Sequence, residues 1–509
     1  MTSKIYQYMI IAFVAIVTLG SCKKKDLGNY DYTEINELSS IADLPEEVNA
    51  VYGKPLSVKP VLKFSQDPNF DESKYTYQWY YLGPNGLGGN KLITIATTKD
   101  LNITTGIISG SYDAYYAVTD NASGVRYRTK FKLKVVNEIN EGWIMMCEVD
   151  NGSRVDILSL NSEGTFDVIK DLLETTGSQL KLEGKPKMTY TYNTGLMIGP
   201  DAISYGLYLG TDQGTTKVEP NTFKWTNTMQ LNYEMFGEIP NGFYADVMQQ
   251  RGLFISYMIG KGNAYFYNRS QNIYYSAPIN YITAEQKGFE VAPFIAGDHE
   301  IITNAHAIFY DKTNRRFVKH TGINATCTTI PEPTSDLKKF SFSTGMDLDY
   351  MTWVPFNGGE VFSILKDPNS SKKYLARFNS FSNLQSYYDE ILGDEIANAE
   401  FFAVSPDLGY IFYTVGSKVY EYDMVYKTAK LMLNLDNKKI SYLNFYNFKD
   451  FNKYKSYNKL MIGTYDPALP SGSDGSLSIY TVPPVNGDLV LDQSYSGFGR
   501  VKSLTYRER

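Results

Sequence analysis

Cysteine and histidine are almost missing from this 509-residue chain, with three of each, and tryptophan occurs only four times. The histidines, His299, His306 and His320, stand 7 and 14 residues apart in no metal-binding pattern, and no two cysteines are close enough for a Cys-x-x-Cys pair. So few cysteines exclude a disulfide-built scaffold. Positive charge is not in excess: 49 Lys and Arg face 55 Asp and Glu, for a net charge of −6, and no basic stripe interrupts the sequence. Nucleic acid is therefore not an expected partner. A phosphate loop of the form Gly-x-x-x-x-Gly-Lys-Ser/Thr and a Gly-x-Ser-x-Gly nucleophile elbow are both missing. The motifs thus call for no metal and no cofactor, and they name no catalytic residue. Beyond the amino-terminal segment, no apolar run is long enough to cross a bilayer.

What is present begins at that segment. Lys4 and the amino terminus precede an apolar run from Met9 to Leu19, and Leu19-Gly20-Ser21-Cys22 follows. A positive start, a short apolar core and small residues make an export signal, too short to remain as a spanning helix. The cysteine after Leu-Gly-Ser resembles the lipobox of bacterial lipoproteins. That resemblance implies cleavage before Cys22, diacylation of its thiol and acylation of the new amino terminus, which anchors the chain to a membrane. Residues 1–21 are then the signal and 22–44 a mostly polar tether.

Residues 45–138 read as one small β-sandwich. Strand candidates run from Leu56 to Leu62, Tyr75 to Tyr81, Lys91 to Ile95, Ala114 to Asp120 and Arg128 to Val136, separated by turns at short spacing, with Trp79 as the candidate core tryptophan.

Residues 139–509 repeat. An apolar-x-apolar strand end followed by Asn, Asp or Thr appears as Leu158–Asn161, Phe223–Thr226, Tyr265–Asn268, Ile308–Asp311, Ala376–Asn379, Tyr420–Asp423 and Ser478–Thr481. The spacing is 42 residues from Trp225 to Tyr267, 43 from Tyr267 to Tyr310 and 44 from Phe378 to Tyr422. An all-strand period of this length marks a β-propeller, with one four-stranded blade per copy and seven blades in all. The first copy opens at Gly142 with no inner strand before it, and the chain ends on a strand-like run from Arg500 to Tyr506. Pairing that run into the first blade closes the ring and removes an exposed edge. The expected class is all-β: an immunoglobulin-like or PKD-like sandwich followed by a seven-bladed propeller.

Tyr115-Tyr116-Ala117-Val118-Thr119-Asp120 resembles the Tyr-x-Val-x-Asp strand of PKD-like modules. Together with the lipobox, the segment Asp26-Leu27-Gly28-Asn29-Tyr30-Asp31-Tyr32 and a propeller-like remainder, it makes the chain resemble the PKD-like outer-membrane lipoproteins of Bacteroidetes. That resemblance implies an accessory of a SusC/SusD-type TonB-dependent importer, binding or presenting glycan or peptide nutrients. It carries no catalytic motif with it. One departure is Lys23-Lys24-Lys25-Asp26, where surface-export signals in this phylum place several acidic residues. The outward-facing orientation remains the preferred one.

Candidate chemistry is sparse. Cys147, inside Trp143-Ile144-Met145-Met146-Cys147, reads as core, and a bridge to Cys327 is the alternative that an exported compartment allows. The loops Asp367–Ser370 and Asp466–Asp474 hold oxygen ligands but match no EF-hand, and they read as solvated turns. The sialidase repeat Ser-x-Asp-x-Gly-x-Thr-Trp is missing, so a propeller hydrolase is the alternative function rather than the first. The aromatic and amide-rich segment 442–457 supplies candidate ligand-binding rings at Tyr446, Phe448, Tyr454 and Tyr457. The competing reading places its alternate rings in a blade core.

Overall fold

The computed structural model describes residues 34–84, 89–161, 163–193, 205–252, 254–271, 274–298, 305–322, 324–446, 448 and 459–508, and within them the chain is almost wholly β. It divides between Val136 and Asn137 into two compact units.

In the first unit a five-stranded sheet runs in the order Glu47–Val51, Arg126–Val136, Gly110–Asp120, Tyr75–Pro84, Asn90–Ala96. Its first pair is parallel and the others antiparallel. Two short antiparallel pairs accompany it: Leu38–Ala42 with Val61–Phe64, and Pro55–Val58 with Leu101–Thr104. Two expectations change here. Leu38–Ala42 lies in the stretch read as tether, yet it is a strand. The single strand read from Leu56 to Leu62 is two, broken at Lys59-Pro60, because proline has no N–H for a ladder and restricts the residue before it. Trp79 is fully buried against Tyr116 and Phe131, with ring centroids 4.2 and 5.9 Å away. The Tyr-x-Val-x-Asp pattern now has a physical content. Period two puts Tyr116, Val118 and Asp120 on one buried face, and the Asp120 carboxylate accepts from Ala122 N (2.8 Å) and Ser123 N (3.1 Å) to hold the following turn.

In the second unit, among the described residues, seven antiparallel sheets of three or four strands succeed one another, with one short pair, Tyr281–Ile282 and Lys287–Gly288, between the third and the fourth. Blade 1 is Arg500–Arg507, Gly142–Val149, Gly152–Leu160, Phe166–Ile169. Blade 2 is Pro186–Asn193, Tyr205–Thr211, Gly214–Val218, and blade 3 is Val247–Arg251, Ile255–Gly260, Asn263–Asn268. Blade 4 is His306–Asp311, Arg316–Thr321, Thr328–Thr329. Blade 5 is Asp347–Val354, Glu360–Lys366, Lys373–Phe378, Gln385–Glu390. Blade 6 is Phe402–Val404, Ile411–Val415, Lys418–Asp423, Thr428–Asn434, and blade 7 is Lys439–Phe445, Leu460–Tyr465, Gly475–Thr481, Val490–Phe498.

Seven apolar seams join them in cyclic order. Ile144, Met146 and Ile157 of blade 1 meet Leu207 and Leu209 of blade 2. The seams then pass through Tyr208 and Met258, Ile259 and Phe309, Tyr310 and Trp353, Ile364 and Val404, and Phe412 and Ile462. The last joins Tyr442, Met461 and Leu477 of blade 7 to Trp143, Met145 and Cys147 of blade 1, so the ring is complete. Strands buried on both faces explain why Trp143–Cys147 reads as an unbroken apolar run rather than an alternating one.

Closure follows the expected route. Arg500–Arg507 pairs antiparallel with Gly142–Val149, with Trp143 opposite Tyr506 and Met145 opposite Leu504. The repeat register is correct for five copies and wrong for two. Phe223–Thr226 is a connection, the third strand of blade 2 being Gly214–Val218. Ile308–Asp311 lies in the strand ahead of Arg316–Thr321, second in its blade, because residues 291–296 occupy the inner position through the bridges Val291–Asp311 and Ala296–Ile308. Side-chain period alone cannot tell a second strand from a third when both are buried.

Gly416-Ser417 forms a two-residue hairpin between Val415 and Lys418, and Gly416 has φ +61°. Gly416→Ala is expected to lower stability by about 1 kcal/mol, read as a reduced midpoint in thermal unfolding. An unchanged midpoint would mean the turn relaxes out of the left-handed region.

Candidate functional site

The blades are not equivalent. Among the described residues, blades 1, 5, 6 and 7 carry four strands, whereas blades 2 and 3 carry three, and the outer strand of blade 4 is only Thr328–Thr329. Long irregular connections occupy the outer positions of blades 2 to 4, and connections are where propellers place function.

The connection after Gly214–Val218 builds a pocket of about 480 Å³ on blade 2. Thr216 organises it. Its backbone bridges to Gln230, and its hydroxyl donates to Met229 O (3.0 Å) and accepts from Trp225 Nε1 (2.8 Å). The indole is thereby fixed at the pocket wall, half-buried. Two 3-10 turns follow, Asn227–Met229 and Leu231–Glu234. The buried Glu234 carboxylate pins the second by accepting from Tyr208 Oη (2.5 Å) and Lys217 Nζ (2.6 Å). Burial and this carboxylate push the Tyr208 hydroxyl well above its ordinary pKa, so it stays protonated and donates. The opposite wall is Ile239 to Phe243. Lys261 Nζ donates to Asn241 O (2.8 Å), Ala245 N donates to the Thr215 hydroxyl (2.9 Å), and Phe243 packs edge-on against Tyr265 at 5.4 Å.

The pocket is thus a rigid aromatic and amide surface. Gln230, Asn232 and Asn241 line it, and their side-chain amides hydrogen-bond to nothing else among the described residues. Among the described residues, Lys181 and Glu183 are the charged lining residues, one of each sign, so they give the wall one carboxylate. Most glycoside hydrolases use a pair of carboxylates. Beside the pocket, on the same connection, Tyr233 and Phe236 are 52% and 77% exposed.

Of the rings proposed from sequence, the two within the described residues do not form a surface. Tyr446 and Phe448 are buried in the seam between blades 7 and 1, with centroids 5.2 and 5.6 Å from Trp143, so neither offers a face to a ligand. Their hydrophobicity is spent on ring closure, as the competing reading had it. Tyr454 and Tyr457 lie outside the described residues, as do Cys22 and His299. His320 is held between Tyr257 Oη (2.9 Å, at Nδ1) and Asn324 O (2.8 Å, at Nε2), and burial lowers its pKa to about 4, so the ring is neutral. His306 Nε2 lies 2.9 Å from Ser380 Oγ, both residues buried. No group of three or more His, Cys, Asp or Glu able to hold a metal occurs among the described residues. Cys147 and Cys327 are free thiols buried in different seams. Asp367 is occupied by its own turn, accepting from Asn369 N and Ser370 Oγ, and buried Asp474 accepts from Arg500 Nε (2.7 Å). The signal for the real pocket was visible in part. Trp225 stands in one of the repeat copies, and Pro220-Asn221 and Pro240-Asn241-Gly242 mark the irregular connection around it.

A model of the PKD-like family matches residues 24–186, which covers the first unit and runs into the second. With the seven-sheet ring, this makes the protein an all-β chain with a PKD-like amino-terminal domain followed by a propeller. No curated protein matches it. Among solved structures, a quinoprotein alcohol dehydrogenase-like protein from Bacteroides thetaiotaomicron is 9% identical over 94% of this chain and 100% of its own, with a TM-score of 0.42. The Dos1 propeller is 10% identical over 84% and 93%, with a TM-score of 0.34. A protein of unknown function from Bacteroides caccae is 8% identical over 58% and 94%, with a TM-score of 0.29. Likenesses this distant carry no argument about activity.

Proposed function

We propose that this protein is a lipid-anchored outer-membrane lipoprotein, attached through Cys22 and facing outward, that binds or presents glycan or peptide nutrients as a non-catalytic accessory of a SusC/SusD-type importer. The observation that carries the binding role is the blade 2 pocket. It has fixed aromatic walls, uncommitted amides and a single carboxylate, the composition of a recognition site rather than of a two-acid hydrolase. The apolar run and lipobox-like Leu19-Gly20-Ser21-Cys22, read as a signal over residues 1–21, and the PKD-like match over residues 24–186 support the cellular setting. The hydrolase alternative has only Glu183 to build on among the pocket-lining residues.

Gentle solubilisation of the lipidated protein from its native membrane, followed by affinity capture and mass spectrometry, tests the accessory role. Recovery of a SusC/SusD-type pair in near-equal amount is expected. Recovery of the protein alone would remove the importer from the proposal and leave a free-standing binder. Protease treatment of intact cells tests orientation: an outward-facing chain is cleaved and a periplasmic one is protected. Replacing Cys22 by Ser is expected to release the chain from the membrane fraction.

A further inference from the structure

We infer that the blade 2 pocket recognises a neutral carbohydrate, one sugar ring laid against Trp225 with its hydroxyls hydrogen-bonded by the surrounding amides. The inference rests on reading this pocket as the ligand site and names the class of ligand it takes.

Three observations separate a sugar from a peptide. First, the strand edge beside the pocket is already used. Extended peptides gain affinity by adding to a free sheet edge, but the outer strand Gly214–Val218 is bridged at Thr216 to Gln230, so no open ladder remains at its centre. Second, the groups left for a ligand are those a sugar needs. The amides of Gln230, Asn232 and Asn241 each present a donor and an acceptor, matching hydroxyls that are both. A site built from such groups rejects ligands lacking the hydroxyls, because its own polar atoms are then left unpaired. Third, the indole is positioned before any ligand arrives. Its N–H is occupied by Thr216 and the ring packs in part on the seam between blades 1 and 2, which fixes its plane, while its half-buried surface at the pocket wall remains for C–H contact. The charged lining residues, Lys181 and Glu183, cancel, so the wall has no net charge with which to select an ionic ligand. A volume of about 480 Å³ holds a small ligand of one or two rings.

The test is isothermal titration of the full mature chain with neutral gluco-, galacto-, manno- and xylo-oligosaccharides and, in parallel, with short uncharged peptides. At least one oligosaccharide series is expected to bind, Trp225→Ala to weaken it at least tenfold, and Trp225→Phe to weaken it less, since the apolar face survives. Asn241→Ala, at an exposed position outside the seams, is expected to weaken it several-fold and keeps the test alive if Trp225→Ala unfolds the connection. Peptide binding that depends on Trp225 would overturn the carbohydrate assignment while leaving the pocket as the ligand site. Oligosaccharide binding unchanged in both Trp225→Ala and Asn241→Ala would overturn the pocket itself. Binding of neither class would overturn the inference and the binding role together.

Discussion

Removal of residues 500–509 is expected to abolish the cooperative unfolding transition of the propeller unit while leaving that of the amino-terminal unit. The lost segment is the inner strand of blade 1. It takes with it the ladder to Gly142–Val149 and the fully buried Val501 and Tyr506, with Leu504 almost so, and it opens the seam around Trp143. It also removes tertiary hydrogen bonds. Ser503 Oγ accepts from Thr189 N (2.9 Å), Thr505 Oγ1 lies 3.0 Å from Thr191 Oγ1, and the buried Arg507 donates to Ile139 O (2.7 Å). Each large apolar side chain brought fully out of water contributes about 2 kcal/mol. Three of them with their backbone ladder approach the roughly 5–15 kcal/mol by which whole domains are stable. The measurement is calorimetry of full-length and truncated chains. A second, smaller variant guards against failure to express: Tyr506→Ala is expected to cost about 3–5 kcal/mol. If the propeller transition survives truncation unchanged, the ring is not held by this strand.

Stability is expected to fall as pH rises from about 4.5 to about 7, and Glu421→Gln is expected to remove that fall. Glu421 lies on Lys418–Asp423 of blade 6 and is 1% exposed, with no hydrogen-bond partner for either carboxylate oxygen. Its cross-strand neighbour is Lys430, whose ammonium is committed elsewhere, to Asn486 O (2.8 Å) and Asp488 Oδ1 (2.7 Å) of the blade 7 connection. Asp423, two residues along the same face, adds like charge, and Lys430 offsets part of it. The facing blade contributes the apolar Ile440, Leu443, Leu460 and Ile462, with Tyr480. Burial therefore raises the Glu421 pKa from 4.5 to about 7. The sign follows from proton counts. Between those two values the unfolded chain has lost the proton and the folded chain keeps it, so raising pH favours unfolding. Below 4.5 both states are protonated, and above 7 both are ionised, so the slope vanishes outside the window. Screening at the outer end of the seam reduces the effect to about 2 kcal/mol across the window. Glutamine keeps the shape and stays neutral, so the variant is expected to match the wild type near pH 4.5 and exceed it at pH 8. Denaturant unfolding at a series of pH values reads this directly. Parallel profiles for the two proteins would place the titration on another group.

The pocket and the seam differ in how far they were legible beforehand. Trp79, the Tyr116-Val118-Asp120 face and the Val415–Lys418 hairpin were readable because their patterns are local: period two, one turn, one capping carboxylate. The closing strand was readable because the first repeat lacked an inner strand and the end of the chain held a spare one. Tyr446 and Phe448 were misread because ring-rich composition looks alike in a binding loop and in a seam. Only the meeting of blade 7 with blade 1, more than 300 residues apart in the chain, places them against Trp143. The pocket stayed hidden for the converse reason. Its polar groups come from Lys181, Glu183, Gln230, Asn232 and Asn241, spread over two connections about 50 residues apart with no shared motif.

By itself, then, the sequence determined the all-β class, two successive units, seven repeats and the strand that closes the ring, since each depends on periodicity or on a missing neighbour. Tertiary structure alone decided which aromatic rings are walls and which are core, which strand of a blade each repeat copy occupies, and where the charged groups lack partners. Those properties belong to surfaces that meet only after the chain has folded, and side-chain burial is set by the neighbour across the seam rather than by the residue's own place in the sequence.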